Sequence, residues 1–346
     1  MNWTFHITEH WEDIWDDDYQ RKWLDLLNAS PNSHVFFHPS LIKAWVETYI
    51  PLRKIFPVFI WGEFGDNEVF FPLILWHKNW KNAFLKVIVP AGYSDFDYHD
   101  PIFKYKLEKN HLQSFWIELH KCLNRYQYDE ILLDGLHCNL PGFIKDSNEI
   151  CPYLDLSGML SDNDLINFFS TSLRGDIRRQ IRRMNELGSL NYHEYESFDD
   201  AKDTFQEFIL EHTKKWPNAY KAPFFHENLL KTGLGSIVHF SSLNIGNIPI
   251  SWHLGFEFAG TYYYYMPAGK KSYSKYSPVK IHLYFLIKRA IENKYTKYDH
   301  LRGDEAYKQG WASGSDSVMT YHFKQERKVS ELKFKILEFR RFLYHN

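Results

Sequence analysis

Five arginines crowd one short segment, SLRGDIRRQIRRMNELG from Ser172 to Gly188: Arg174, Arg178, Arg179, Arg182 and Arg183. At helical spacing Ile177, Ile181 and Met184 form an apolar stripe, and Arg174, Arg178 and Arg182 share another face at i, i+4. Like charges stacked this way repel; a phosphate-bearing ligand relieves the repulsion through charge-assisted hydrogen bonds, as do carboxylates or plain solvent. A second candidate is KKSYSKYSPVK, where Ser277 has the chemistry of a helix N-cap and Pro278 that of the first helical residue, a pattern that also suits an ordinary capped helix with solvated lysines. Lys270, Lys271, Lys275 and Lys280 surround that start. The first N–H groups of a helix are unpaired and its dipole favours negative charge, so a phosphate binds there readily. Groups for proton transfer gather in the polar loop GYSDFDYHD, with Tyr93, Asp95, Asp97, Tyr98, His99 and Asp100, and in LRGDEAYK, with Arg302, Asp304, Glu305, Tyr307 and Lys308. A long polar insertion after an apolar strand is where binding residues tend to lie, although the same residues also make Asx-rich turns. His253 lies in the apolar strand ISWHLGF, where a satisfied core histidine is the plainer reading.

The elements that must position these groups follow from periodicity. Helical spacing covers Tyr19 to Asn28 and Pro39 to Tyr49, and strands follow at Ile55 to Gly62 and Glu68 to Trp76 around the hairpin signal Gly65-Asp66-Asn67. Then come a strand at Leu85 to Pro90, a helix from Leu107 to Tyr126 and a strand at Glu130 to Leu133. The second half repeats the order. A strand at Leu190 to Tyr195 precedes helices at Phe198 to Trp216 and Phe224 to Lys231, a hairpin of Ser236 to Leu243 and Ile248 to Phe258, and a strand at Tyr262 to Pro267. A helix from Pro278 to Lys294 and a strand at Tyr298 to Arg302 complete it, and the tail Val329 to Tyr344 is amphipathic and basic. Each copy has a helix that ends just before Tyr-Asp, which suggests duplication of one unit. Two domains are therefore expected, 1–150 and 151–346, linked through the Pro- and Gly-punctuated stretch Pro141 to Ser161.

Composition bounds the function. The chain has 346 residues, 44% hydrophobic and 24% charged, which excludes a disordered protein. A net charge of −2 provides no global field for nucleic acid or an anionic membrane, so neither is expected as a partner. Cys122, Cys138 and Cys151 are odd in number and lack ligand spacing, so no disulfide framework and no metal site are expected. The acidic start MNWTFHITEHWEDIWDDD is unlike a secretory signal, and the cytoplasm is the expected compartment. Aromatic residues make up 18%, more than a core alone requires, so some tyrosines are expected to line a binding site.

The element order resembles the GNAT acyltransferase fold, and its duplication resembles the tandem-GNAT proteins, namely the Fem peptidoglycan ligases and the CelD-like acyltransferases associated with polysaccharide synthesis. FFHPSLIKAWVETY at Phe36 to Tyr49, SLRGDIRRQIRRMNELG, YSPVKIHLYFLIKRAIE at Tyr276 to Glu292 and YDHLRGDEAYKQGWAS at Tyr298 to Ser313 are similar to the second group. Within it the chain is closest in character to nucleotide-sugar N-acyltransferases that acylate a dTDP-linked 3-amino-3,6-dideoxyhexose. The resemblance implies an α/β (α+β) fold of two tandem GNAT-like domains, each a mixed, mostly antiparallel sheet flanked by helices, with the acyl-CoA site in the second. It implies acyl-CoA as co-substrate, no metal, and transfer of an acetyl or 3-hydroxybutyryl group to a nucleotide-linked amino sugar.

In that fold the thioester lies where two central strands splay, and the CoA pyrophosphate meets the start of the next helix. On this sequence that start comprises Lys275, Tyr276, Ser277, Pro278 and Lys280, with Lys308 either a further cation at phosphate or, on a helical segment, a partner of Asp304 at i, i+4. Amide formation requires a neutral amine and a stabilised oxyanion. Asp304, Asp97 and His253 are the candidate bases, and Tyr307 or Tyr264 the candidate donor to the departing thiolate; Tyr93, Asp95, Tyr98, His99, Arg178, Tyr264 and Arg302 are expected around the sugar nucleotide. Val279 departs from the pattern, since glycine is usual there. Two alternatives remain, a Fem-like ligase taking an aminoacyl group from tRNA and a non-catalytic tandem-GNAT binding module.

Overall fold

Among the described residues thirteen strands form in the places where β-branched and aromatic residues alternate or run together between turn residues. In chain order they are β1 (Thr4–Thr8), β2 (Lys54–Phe64), β3 (Asn67–His77), β4 (Lys86–Pro90), β5 (Ile102–Phe103), β6 (Glu130–Leu136), β7 (Ile144–Asp155), β8 (Leu190–Tyr195), β9 (Val238–Ile245), β10 (Ile248–Phe258), β11 (Thr261–Gly269), β12 (Lys297–Asp299) and β13 (Gly314–Lys324). The computed structural model describes residues 2–222 and 224–345. The chain divides into two compact units, Met1–Asn148 with Ser317–Asn346, and Glu149–Asp316.

In the first unit the strand order is β1-β2-β3-β4-β6-β13, with β5 beside β3. β2 and β3 pair antiparallel from Lys54↔His77 to Phe64↔Asn67, and Gly65 at φ +57° closes the hairpin. β4 and β6 pair in parallel through Val87↔Glu130 and Ile88↔Ile131. The helices Asp17–Ala29, Pro39–Tyr49 and Lys109–Leu123 flank this sheet. Phe59 and Phe70 are fully buried beside Trp23, and each such ring stabilises the fold by roughly 1.5–3 kcal/mol relative to exposure. Much of the aromatic excess is thus core.

The second unit has the order β7-β12-β11-β10-β9-β8, antiparallel except for the parallel pair β11–β12. Helices cover both faces. Ser251 faces the helix Pro278–Glu292, where His282 Nδ1 lies 3.2 Å from its hydroxyl, whereas Trp252 points the other way and donates to Thr204 Oγ1 at 2.7 Å on the helix Phe198–Lys215. Each unit is therefore a mixed, mostly antiparallel sheet flanked by helices.

Two expectations change. The stretch expected to link the domains, Pro141 to Ser161, contains the twelve-residue strand β7. Its first seven residues, Ile144 to Ile150, are all exposed, so no inside–outside alternation marked it as a strand. The tail from Ser317 onward, expected in the second domain, groups with the first unit, because β13 runs antiparallel along β6 from Met319↔Leu136 to Lys324↔Glu130. Among the described residues no helix is long and apolar enough to cross a membrane.

Candidate active site

The second unit opens between its two parallel strands. β11 and β12 are in register over Thr261↔Lys297, Tyr262↔Tyr298 and Tyr263↔Asp299 only. Beyond that, the chain after β12 stays with β7: His300 N–H donates to Pro152 O at 2.9 Å and Gly303 N–H to Ile150 O at 3.0 Å. β11 meanwhile runs on to Gly269. The strands therefore splay, and the Tyr264–Gly269 stretch of β11 extends beyond its register with β12.

At the far end of β11, a cavity of about 270 Å³ is lined by Pro267 to Lys271, by Ser274 and Ser277 to Lys280, and by Glu211, His212 and Lys215. Two features favour an anion there. It holds the start of the fifteen-residue helix Pro278–Glu292, whose dipole favours negative charge, although Pro278 has no N–H and the Lys280 and Ile281 N–H groups donate to Ser277 O at 3.1 and 3.2 Å. It is lined by four lysines, Lys215, Lys270, Lys271 and Lys280. Lys270 is partly offset by Glu207 at 2.9 Å and Lys280 by Asp176 at 2.6 Å. Lys280 also borders a neighbouring depression of about 690 Å³, where the N-terminal turn of the helix Thr171–Asn185 meets Arg179, Tyr307 and Trp311.

The helix start differs from the expected cap. Ser277 adopts φ 54°, ψ 51° and its side chain makes no capping bond, because a six-residue 3-10 turn, Lys271–Tyr276, closes onto it from Ser274 O. Pro278 holds the first helical position, as expected. Val279, which stands where the resemblance implies glycine, packs against Gly269: a Cβ on Gly269 would fall 2.7 Å from Val279 Cγ2. The missing glycine of the helix is matched by one on the strand.

His212 is the residue that sequence reasoning passed over. It continues the buried stripe Ala201, Phe205, Phe208, His212 of the helix Phe198–Lys215, whose Ser197 cap, Asp199, Asp200 and last-turn Lys214 and Lys215 suit the helix dipole. A histidine on an apolar stripe that ends at a basic helix terminus was the available signal. Burial, assisted by Lys215, holds its pKa down to about 4, so the imidazole is neutral at physiological pH. Its buried Nδ1 has no hydrogen-bond partner among the described residues.

Several expected residues serve the fold instead. Lys308, expected at phosphate, is 3% exposed and its ammonium donates to Arg302 O at 2.7 Å and Gly303 O at 3.4 Å, beside Glu305 at 2.9 Å. It ties down the loop after β12 and pairs with Glu305 at i, i+3 rather than with Asp304. Arg302 lies largely buried, 3.6 Å from Glu149. His253 is buried with its ring stacked on Tyr264 at 4.4 Å and its Nδ1 3.0 Å from the Tyr262 hydroxyl, so both His253 and Tyr264 belong to the sheet's interior. Lys275 and Tyr276 lie outside the lysine-lined cavity; Arg183 caps the Tyr276 ring at 4.8 Å and donates to Lys275 O at 3.1 Å. Arg178 is exposed, and the arginines that contact the candidate site's elements are Arg179 and Arg183. Asp304 is exposed, and Tyr307 stands half-exposed at the neighbouring depression.

In the first unit, the equivalent opening between β4 and β6 is filled by the chain itself. After the Gly92 turn, at φ +87°, the loop folds back along β6, where His99 N–H donates to Gly135 O at 2.9 Å and His99 Nδ1 lies 2.9 Å from Asp134 O. Phe96, Tyr98 and His99 are buried. Asp95 accepts hydrogen bonds from Tyr49 at 2.8 Å and Trp45 at 3.0 Å, fixing the loop to the helix Pro39–Tyr49. Asp97 and Tyr93 are half-buried in the same loop. The loop expected to bind substrate thus packs as a plug, which leaves the open splay in the second unit. Among the described residues no group of three or more His, Cys, Asp or Glu is arranged to hold a metal ion.

Comparison with known proteins agrees with this division. Residues 171–309, which include the splay and both depressions' helices, match the family described as an acetyltransferase (GNAT) domain. A comparison with curated protein sequences gives no match. Among solved structures the chain is similar to FemX, at 12% identity and TM-score 0.62, over 96% of this chain and 99% of that one. It is also similar to a conserved protein of unknown function from Bacteroides thetaiotaomicron, at 11% identity and TM-score 0.57, over 92% and 99% of the two chains. Both likenesses concern the fold and extend across both units. Residues 171–309 thus match a GNAT acetyltransferase domain, and the chain as a whole shares the fold of FemX.

Proposed function

We propose that the protein transfers an acyl group, acetyl or 3-hydroxybutyryl, from acyl-CoA to the amine of a nucleotide-linked amino sugar such as a dTDP-amino-dideoxyhexose, in surface-polysaccharide assembly. The observation that carries this reading is the lysine-lined cavity at the end of the splayed strand, which joins a helix start and four ammonium groups in one small volume. Those residues fit a pyrophosphate: Lys215, Lys271 and Lys280 supply charge, and the dipole of the helix Pro278–Glu292 favours an anion at its start. The edge of β11 that runs beyond its register with β12, paired with β10 on its other side, fits an amide-bearing arm laid alongside it. The co-substrate supplies the activated thioester; the protein's part is to orient it and to manage protons.

His212, neutral and at the wall of the cavity fitted to the pyrophosphate, is suited to hydrogen-bond a phosphate oxygen rather than to reach the thioester. Tyr307, whose phenol is held protonated by burial and by Glu305, is suited to supply the departing thiolate. Asp304, exposed in the same loop, serves as the base that takes the proton from the attacking ammonium. The second depression, with Arg179, Tyr307 and the helix start at Thr171, suits a phosphorylated sugar nucleotide: a guanidinium for phosphate, a ring for stacking and Asp176 for hydroxyls.

The likeness to FemX along the whole chain favours a second reading, a Fem-like ligase with an aminoacyl-tRNA donor. Release of free thiol from acetyl-CoA and 3-hydroxybutyryl-CoA, with and without dTDP- and UDP-linked amino sugars, separates the two. Sugar-dependent release is expected. No release with any pair, together with amide formation from aminoacyl-tRNA, would establish the ligase instead.

A further inference from the structure

The first unit carries an apolar surface that neither acyl transfer nor the core explains. On the C-terminal helix Lys328–His345, Val329, Leu332, Ile336, Phe339 and Leu343 recur at spacings of three and four, and all are exposed, Phe339 at 63%. The helix holds the body of its unit through a different face: Ser330 donates to Asp129 at 2.7 Å, Lys333 to Asp129 at 2.7 Å and to Phe84 O at 3.2 Å, and Arg340 to Trp80 O at 2.8 Å. Those last bonds draw the turn Trp80 to Phe84 alongside the apolar stripe, and both rings are exposed, at 58% and 65%. Seven large apolar side chains therefore face solvent together, which a water-facing surface does not favour.

The charge around this patch identifies what covers it. Phe84 also lines a groove of about 670 Å³ with Leu52, Arg53, Lys54, Lys78 and Lys86, and no carboxylate lines that groove. Arg53 is held rigid over the rings of Tyr49 at 3.8 Å and Trp76 at 4.5 Å. Along the helix the residues flanking the stripe are Lys328, Lys333, Lys335 and Arg340. A second copy of this helix is a poor occupant, because its flanking positions would set like charges against each other and the repeat spans only about two heptads. Apolar rings and aliphatic chains rimmed by lysine and arginine instead match the interface of an anionic bilayer.

We propose that this face of the first unit docks on an anionic membrane surface, with Phe339, Ile336, Leu332, Trp80 and Phe84 in the headgroup–acyl boundary and the Arg53–Lys54–Lys78–Lys86 groove on lipid phosphates. The near-neutral total charge conceals the patch, which is why sequence arithmetic pointed away from membranes. The docking does not depend on the identity of the acyl acceptor.

Flotation of the full-length protein with phosphatidylcholine vesicles, with and without about 30% phosphatidylglycerol, tests it. Binding to the anionic vesicles is expected, weakened by at least about tenfold in pure phosphatidylcholine and in high salt. Phe339→Glu with Ile336→Glu, both at exposed positions, is expected to abolish it with an unchanged circular-dichroism melt, and Lys78→Glu with Lys86→Glu to weaken it by about tenfold. Equal binding to neutral vesicles, or binding unaffected by the helix variants, would overturn the proposal. So would a purified dimer that these variants convert to monomer without any vesicle binding by the wild type, which would assign the face to a second copy.

Discussion

The Lys280 ammonium lies 2.6 Å from an Asp176 carboxylate oxygen, joining the helix Pro278–Glu292 to the helix Thr171–Asn185 between the two depressions of the candidate site. The bond to Lys280, with help from Arg179 and against some desolvation, holds the Asp176 carboxyl below its usual 3.8. A carboxylate with a depressed folded pKa contributes stability that is present above its unfolded value and lost as pH falls through the folded value. Asp176→Asn is therefore expected to cost up to about 1 kcal/mol in urea unfolding at pH 7 and close to nothing at about pH 2. A loss of equal size at both pH values would show that the side chain acts through packing rather than charge.

His212 supplies a test of the donor site. His212→Leu keeps the size and the apolar contacts of the stripe but removes both nitrogens, and it is expected to raise the KM for acyl-CoA by about tenfold while leaving kcat near wild type. Because burial keeps the imidazole neutral until about pH 4, this contribution is expected to be flat between pH 6 and 8. An unchanged KM in the variant would remove His212 from the donor site, and Asp304→Asn in the same thiol-release assay, expected to lower turnover by about 10², tests the proton transfer.

The elements around the site were more legible than the roles within it. Pro39 to Tyr49, Leu190 to Tyr195 and Ile248 to Phe258 have the expected bounds, because a proline start and a two-residue Gly246-Asn247 turn are local signals that tertiary packing does not override. β7 escaped notice because pairing holds its main chain while its side chains mostly face solvent. The lysines near Pro278 were visible from sequence, since charge beside a helix start has one physical meaning. Lys308 and Asp95 were misread for a common reason. The partners that satisfy them, backbone carbonyls of the loop after β12 in one case and the Trp45 and Tyr49 donors in the other, become neighbours only through the fold. His253 and Tyr264 look like site residues by type, and only their alternation within the sheet turns them inward.

Lys308 separates structure from ligand binding directly. Its ammonium is surrounded by the carbonyls of Arg302 and Gly303 and the Glu305 carboxylate, so removing it leaves several acceptors without a donor. Lys308→Met is expected to destabilise the protein by about 1–3 kcal/mol, read as a lower thermal midpoint, with little change in the KM for acyl-CoA at temperatures where it stays folded. A raised KM with an unchanged melt would return Lys308 to the phosphate site.

The contact between Gly269 and Val279 yields a prediction whose sign can be reversed. Gly269 ends β11 at the cavity, and an added methyl would lie 2.7 Å from Val279 Cγ2, closer than carbon atoms approach. Val279 stands in the first turn of its helix, where a β-branched side chain has essentially one comfortable rotamer, so it cannot swing aside. The strain would instead push the Pro278 turn, and with it Lys280, away from β11 and reshape the cavity. Gly269→Ala is therefore expected to raise the KM for acyl-CoA by about tenfold, and overpacking of about 1–3 kcal/mol is expected to appear in the melt as well. Gly269→Ala combined with Val279→Gly exchanges which side carries the bulk, and should bring KM back to within about threefold of wild type, a coupling that independent sites would not show. If the double variant binds acyl-CoA no better than Gly269→Ala alone, the close packing of strand end and helix start is not what shapes the donor site.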